Sequence, residues 1–176
     1  MSGLPLERFR DLSDIPAAGF ELDIAPGADE LRALAKWAGV DDISQLKAHV
    51  SVTARSKTRF LEEVQFDATV VQSCVVTLQP VRTEIARNFT RALLWLPGVH
   101  RFAEKGGTVV PAAVDEDAPD EIDSPVYDLG TPLREELALA IDPYPRAPGV
   151  AFQPPPDEDH RESPFAALEK LKPRSR

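Results

Sequence analysis

The chain has 176 residues, of which 43% are hydrophobic: enough for one domain with a core and a tail, too few for two ordinary domains. Its apolar runs are only a handful of residues, far short of the roughly 20 that a membrane-spanning helix needs; the opening Met1-Ser2-Gly3-Leu4-Pro5-Leu6-Glu7-Arg8 has no apolar centre of a signal peptide. The net charge of −9 is concentrated, because residues 104–142 hold 11 acids against 2 bases while residues 1–103 hold 13 against 12 and residues 143–176 hold 5 against 6. Such a segment repels phosphate and attracts cationic protein; the alternative is a loop that only aids solubility. A single cysteine cannot close an internal disulfide, which suits a reducing cytoplasm.

In chain order, Phe9, Leu12, Ile15, Phe20, Leu22 and Ile24 are spread through a segment broken by Pro16 and Gly19, and Phe20-Glu21-Leu22-Asp23-Ile24 alternates as a short strand. After Pro26-Gly27, residues 28–38 place Leu31, Leu34, Ala35 and Ala38 on one helical face. Asp29 and Glu30 stand in the first turn, and Gly39 is placed to stop the helix. Leu46, Ala48, Val50, Val52 and Ala54 alternate with polar residues in a second strand, and residues 55–59 make the turn that follows. The centre of the chain is residues 64–95. Val64, Phe66, Ala68 and Val70 recur at every second position, residues 72–80 break that pattern and end in Pro80, and Val81, Thr83 and Ile85 begin a second strand that runs to Trp95. These two long strands form a central hairpin turning near Cys74.

Residues 97–125, with Gly106-Gly107, Asp115-Glu116-Asp117 and Asp120-Glu121, are expected to form a long acidic mobile loop holding at most a short strand at Thr108-Val109-Val110. Order is expected to return at Ile122. Thr131 as N-cap and Pro132 at the first helical position predict a helix over 131–141 with Leu133, Leu137, Ala140 and Ile141 on its apolar face. Residues 143–156 are proline-rich and expected to be extended rather than packed. Residues 163–172 read as a short terminal helix that is too short to be stable alone and must dock or form on binding.

Cys74 admits three roles: nucleophile, metal ligand or packed side chain. His49 and His100 are each about 25 positions away and in no motif with it. One cysteine and three scattered histidines are a poor supply for the four ligands of zinc, and the acidic cluster lacks the spacing and central glycine of a calcium loop. No phosphate-binding or dinucleotide-binding glycine motif and no G-x-S-x-G is present. Arg87, Phe89 and Arg91 fall on one strand face, an arrangement that would suit single-stranded RNA, as would the basic turn of Arg55, Lys57 and Arg59; a basic overall charge to support this is missing.

The framework Val70-Val71-Gln72-Ser73-Cys74-Val75-Val76-Thr77-Leu78-Gln79-Pro80-Val81, then Ile122-Asp123 and Tyr127-Asp128-Leu129-Gly130 leading into residues 133–141, resembles the bacterial YceD family, the large ribosomal RNA subunit accumulation proteins, over about residues 1–150. Many relatives read Cys-x-Arg-Cys-Leu at the first motif; Cys74 and Leu78 match it, and Val76 and Thr77 replace its Arg and second Cys. Many relatives also end in a cysteine-rich segment with zinc-like spacing, where this chain has Pro143-Tyr144-Pro145-Arg146, so a metal role does not carry over and no cofactor is expected. The resemblance implies a cytoplasmic, non-enzymatic factor supporting ribosomal RNA accumulation during ribosome assembly.

The reading is therefore an α+β domain over residues 1–142: a small antiparallel sheet of about four to six strands, open or curled towards a barrel, with two main helices covering it and a proline-rich tail over 143–176. The expected partner is a basic ribosomal protein or pre-ribosomal particle, with any RNA contact indirect. The candidate partner-binding residues are Cys74, Thr77, Leu78, Asp115, Glu116, Asp117, Asp120, Glu121, Asp123, Asp128, Glu135 and Glu136. Direct RNA binding through Arg87, Phe89 and Arg91, and an enzyme dependent on Cys74, are the alternatives.

Overall fold

The computed structural model describes residues 3–16, 18–97 and 118–152. The strand expected at Thr108-Val109-Val110, the acids Asp115, Glu116 and Asp117, and the terminal helix over 163–172 lie outside the described residues. The elements in order are β1 (Phe9–Asp11), a 3-10 turn (Leu12–Asp14), β2 (Phe20–Ile24), α1 (Ala28–Ala38), β3 (Asp42–Ala54), β4 (Arg59–Ser73), β5 (Pro80–Trp95), β6 (Asp120–Ile122), β7 (Val126–Asp128) and α2 (Gly130–Ala140).

β3, β4 and β5 carry the fold. They have 13, 15 and 16 residues, well beyond the usual 5–6, and pair antiparallel along nearly their whole length. The alternation seen in the sequence becomes a partition of faces. Leu46, Ala48, Val50 and Val52 of β3, Phe60, Val64, Phe66, Ala68 and Val70 of β4, and Ile85 and Leu93 of β5 join one apolar cluster with Leu34 and Ala35 of α1 and Leu133 and Leu137 of α2. Lys47, His49, Glu63, Gln65, Asp67, Glu84 and Asn88, on the alternate positions, stay exposed. An extra residue, Ser44, in a bulge between Ile43 and Gln45 lets both Ile43 and Leu46 point into the core although they are three positions apart.

α1 has the predicted bounds. Asp29 and Glu30 occupy its first turn, and Gly39 closes it at φ 70°, in the left-handed region where a side chain is disfavoured.

Three expectations need correction. The sheet is mixed, not wholly antiparallel, because its order is β2-β3-β4-β5-β6 and β6 runs parallel to the end of β5, with Trp95 beside Ile122. Of the two shapes expected, the sheet takes the open one, with β2 and β6 as its outer strands. Asp120 and Glu121 therefore belong to a strand that ends the acidic segment and not to a loop. A second, two-stranded antiparallel sheet joins β1 to β7. Thr131 is not the N-cap of α2: the cap is Leu129, and the side-chain acceptor is Asp128, which takes the Gly130 N–H at 3.0 Å and the Thr131 hydroxyl at 2.9 Å.

The proline-rich segment also departs from an unpacked extended chain at its start. The Val75 N–H donates to the Pro145 carbonyl at 2.9 Å, the Gln72 side chain donates to the Asp142 carbonyl at 2.9 Å, and Pro145 is buried. Proline lacks an N–H, but its carbonyl remains an acceptor.

Gly130 lies against the N-terminal segment so closely that a Cβ there would stand 1.8 Å from the Leu6 carbonyl oxygen. Gly130→Ala should therefore lose about 2–4 kcal/mol in urea unfolding, because a backbone oxygen cannot step aside. Gly39→Ala, which has left-handed φ but open space around it, should lose only about 1 kcal/mol.

Candidate partner-binding site

Residues 118–141 carry six carboxylates and one arginine, and the fold collects them at one corner of the molecule. Asp128, at the end of β7, holds that corner together. It accepts from the Arg8 N–H at 2.6 Å, the Gly130 N–H, the Thr131 hydroxyl, and the Arg134 guanidinium at 2.9 Å. Burial raises its pKa, but these donors outweigh that and leave it below the ordinary carboxylate value. Arg134 is itself buried and also donates to the Pro5 carbonyl at 2.9 Å. Asp128 is thus engaged within the fold.

The other acids gather around Arg91 of β5 and a neighbouring hollow. Arg91 lies 2.8 Å from Glu135, 3.7 Å from Glu136 and 3.8 Å from Asp120, so one guanidinium bridges β5, β6 and α2. A hollow of about 330 Å³ beside it is lined by Glu121, Asp123, Ser124, Tyr127, Asp128 and Thr131, with Leu96, Ile122 and Val126 as apolar wall. Carboxylates above an apolar wall match a lysine or arginine side chain, whose charged head sits on an apolar stem.

Behind Tyr127 lies a residue that the sequence reading missed. Glu62 is fully buried, accepts the Tyr127 hydroxyl at 3.2 Å on one oxygen, and its other oxygen has no hydrogen-bond partner among the described residues. It stands opposite Arg91 in the β4–β5 ladder. Burial raises its pKa to about 7, a rise opposed by the Tyr127 hydrogen bond and the Arg91 charge, while burial and Glu62 push the Tyr127 phenol up. The signal for Glu62 was present in the sequence: the inward alternation of Val64 and Phe66, extended backwards, passes through Glu62 to Phe60.

Cys74, Thr77 and Leu78 sit elsewhere, at the β4–β5 turn. Cys74 is buried, and its sulfur receives the Thr77 hydroxyl and the N–H groups of Ala147 (3.3 Å), Thr77 and Val76, which bring the thiol down to about 6. Those partners are donors, so none of them acts as a base towards the thiol. Leu78 adopts φ 59°, a left-handed backbone rarely seen at a branched residue, yet its side chain is 77% exposed. Val75 and Tyr144, on the two segments joined by the Val75–Pro145 hydrogen bond, are exposed as well. The Gln72–Asp142 contact links this tip to the end of α2, so the turn and α2 present neighbouring surfaces.

The residues do not fit a zinc centre. Thr77 offers a hydroxyl and not a thiol, the Cys74 sulfur is taken up by donors, and among the described residues no group of three or more His, Cys, Asp or Glu could hold a metal ion. Arg87, Phe89 and Arg91 do share a strand face, but it is the face of the core residues Ile85 and Leu93. Phe89 is half-buried against the core and Arg91 is held by its three acids, which leaves only Arg87 exposed.

These features define a small α+β protein with an open mixed sheet and a concentrated acidic corner. No helix among the described residues is long and apolar enough to cross a membrane. The family model described as large ribosomal RNA subunit accumulation protein YceD matches residues 63–172. The chain belongs to the YceD family. The match begins after β3 and runs through the proline-rich segment, later at both ends than the resemblance read from the motifs. No curated protein and no solved structure gives a significant match.

A carboxyl that titrates near 7 in the fold and near 4.5 in the open chain binds more protons folded than unfolded between those values. Its contribution to stability therefore falls as pH rises from about 4.5 to about 7 and is level above that. Glu62→Gln, which keeps an acceptor for Tyr127, should flatten this slope in denaturant titrations and be more stable than the parent at pH 8 by about 1–3 kcal/mol.

Proposed function

We propose that this protein is a non-enzymatic cytoplasmic factor that supports accumulation of large-subunit ribosomal RNA by holding a basic protein of the assembling ribosome. Its membership of the YceD family supports the ribosomal role. The observation that carries the choice of a protein partner is the corner itself, where Asp120, Glu121, Asp123, Glu135 and Glu136 come together on β6, the following turn and α2. A field of that sign draws in lysine and arginine and repels nucleic-acid phosphate. Asp115, Glu116 and Asp117 extend the same charge along the chain, whereas Asp128 serves by positioning β7 and α2.

The receiving surface in this reading is the tip formed by Thr77, Leu78 and the α2 end, with Cys74 packed beneath as its support. Acids bring the partner in and exposed apolar side chains hold it, the usual split between association rate and residence time. Residues 1–142 are the folded unit, and residues 143–176 are an accessory tail whose first residues are clasped to the tip.

Pull-down from a lysate at ~0.15 M salt, where charges are screened over about 8 Å, tests the role of the acids. Changing Asp115, Asp117, Asp120 and Asp123 to Asn and Glu116 and Glu121 to Gln should reduce capture of ribosomal proteins several-fold; undiminished capture would remove the steering role. Cys74→Ser should leave ribosome profiles unchanged, because a packed sulfur is not the reacting group; loss of function in a variant that still folds would favour a nucleophilic cysteine.

A further inference from the structure

The sheet has a second face, turned away from the apolar cluster. Three cross-strand rows cross it: Glu21-Ser51-Glu63-Thr90, Asp23-His49-Gln65-Asn88 and Lys47-Asp67-Ala86. The face is concave. Gln65 lines three adjoining hollows, the largest of about 570 Å³, which together extend from Glu21 and Thr90 past His49 to Asp67 and Arg87. The rows carry four carboxylates, Glu21, Asp23, Glu63 and Asp67, against Lys47 and His49, with exposed Arg87 at one end of the hollows, and His49 is already bonded to Asp23 at 2.8 Å.

The chemistry of this trough narrows its occupant. None of the large exposed hydrophobic residues lies on these rows, since they are Leu4, Phe9, Trp37, Val75, Leu78, Val126, Leu139, Tyr144 and Phe152; an apolar helix or a second apolar sheet has nothing to bury here. Four carboxylates, no exposed Phe, Tyr or Trp, and a His49 ring already held by Asp23 also make a poor platform for nucleotides. An extended basic peptide meets each feature. Glu63 and Asp67 are four residues apart on β4, ~13 Å at about 3.3 Å per residue, so an extended chain lying along β4 brings cations at positions i and i+4 to both. Gln65 and Asn88, adjacent in the ladder, stand between them with amide donors and acceptors that suit peptide groups.

We infer that the concave outer face of β2–β5, centred on Gln65, is a docking groove for an extended lysine- or arginine-rich segment of the partner protein. The inference rests on the reading that the partner is a basic protein, and it adds a contact surface separate from the Asp120–Glu136 corner.

The test uses the full chain labelled for amide NMR and three probes: a 12-residue peptide of Gly and Ser with Lys at every fourth position, the same peptide with Glu in place of Lys, and a single-stranded RNA 12-mer. The Lys peptide should shift the amides of Ser51, Gln65 and Asn88. Its affinity at 0.05 M salt should fall at least ten-fold in the Glu63→Gln/Asp67→Asn variant, and likewise in Gln65→Arg, which adds a cation while removing no acid. The substituted positions Glu63, Gln65 and Asp67 are exposed, and the unperturbed remainder of the spectrum reports that each variant is folded. The Glu peptide and the RNA should leave these amides unmoved. Shifts confined to residues 120–136, or full affinity in both variants, would overturn the groove while leaving a basic partner in place. Displacement of the peptide from these rows by RNA would overturn it in favour of a nucleic-acid face. Absence of peptide binding anywhere, together with unimpaired ribosomal-protein capture by the acid-corner variant, would overturn both readings.

Discussion

The ion pair between buried Arg134 and largely buried Asp128 is the contact on which the arrangement of the molecule depends. Removing two charges from water is unfavourable unless every oxygen and N–H finds a partner, and here the partners come from distant stretches of chain: the Arg8 N–H and Pro5 carbonyl from the N-terminal segment, the Gly130 N–H and Thr131 hydroxyl from the start of α2. The pair is stable only when the first residues of the chain lie against β7 and α2. That requirement fits the close passage of Gly130 under Leu6 and the pairing of β1 with β7.

Once α2 is placed, the acids on it have fixed neighbours. Glu135 and Glu136 reach Arg91 on the sheet, Arg91 reaches Asp120 on β6, and the inward position opposite Arg91 is filled by Glu62. A row of ionisable groups thus penetrates a face that is mostly apolar. The burial that shields Glu62 from water also favours its protonated form and raises its pKa to about 7, so this carboxyl is only partly ionised at neutral pH, while Asp120 and Glu135 at the outer end of the row are exposed.

At the β4–β5 turn Thr77 donates its hydroxyl to Cys74, and the segment after α2 donates an Ala147 N–H to the same sulfur. Hydrogen bonds from two segments converge on one sulfur and hold the turn against residues 142–147. The turn stays ordered enough to keep Leu78 in an unfavourable backbone conformation with its side chain in solvent.

Much of this was legible from residue order. The alternation through β3, β4 and β5 specified three paired strands and their inward residues, because a period of two sustained over a dozen positions fits a half-buried strand and cannot line one face of a helix. The pattern of α1 with Gly39 after it specified a helix and its end. β1, β6 and β7, three residues each, are too short to carry a period, so their pairing was invisible, as was the parallel direction of β6. The cap of α2 was misassigned to Thr131 because Asp128 becomes the better acceptor only when Arg8, 120 residues away in the chain, arrives to share it. The abundance of acids could be counted beforehand, but not which of them would be engaged inside the fold and which would stay exposed. Periodicity is a property of neighbours along the chain and survives without a structure; the role of a charged group depends on which distant groups surround it and how much water they exclude, and only the tertiary arrangement supplies those.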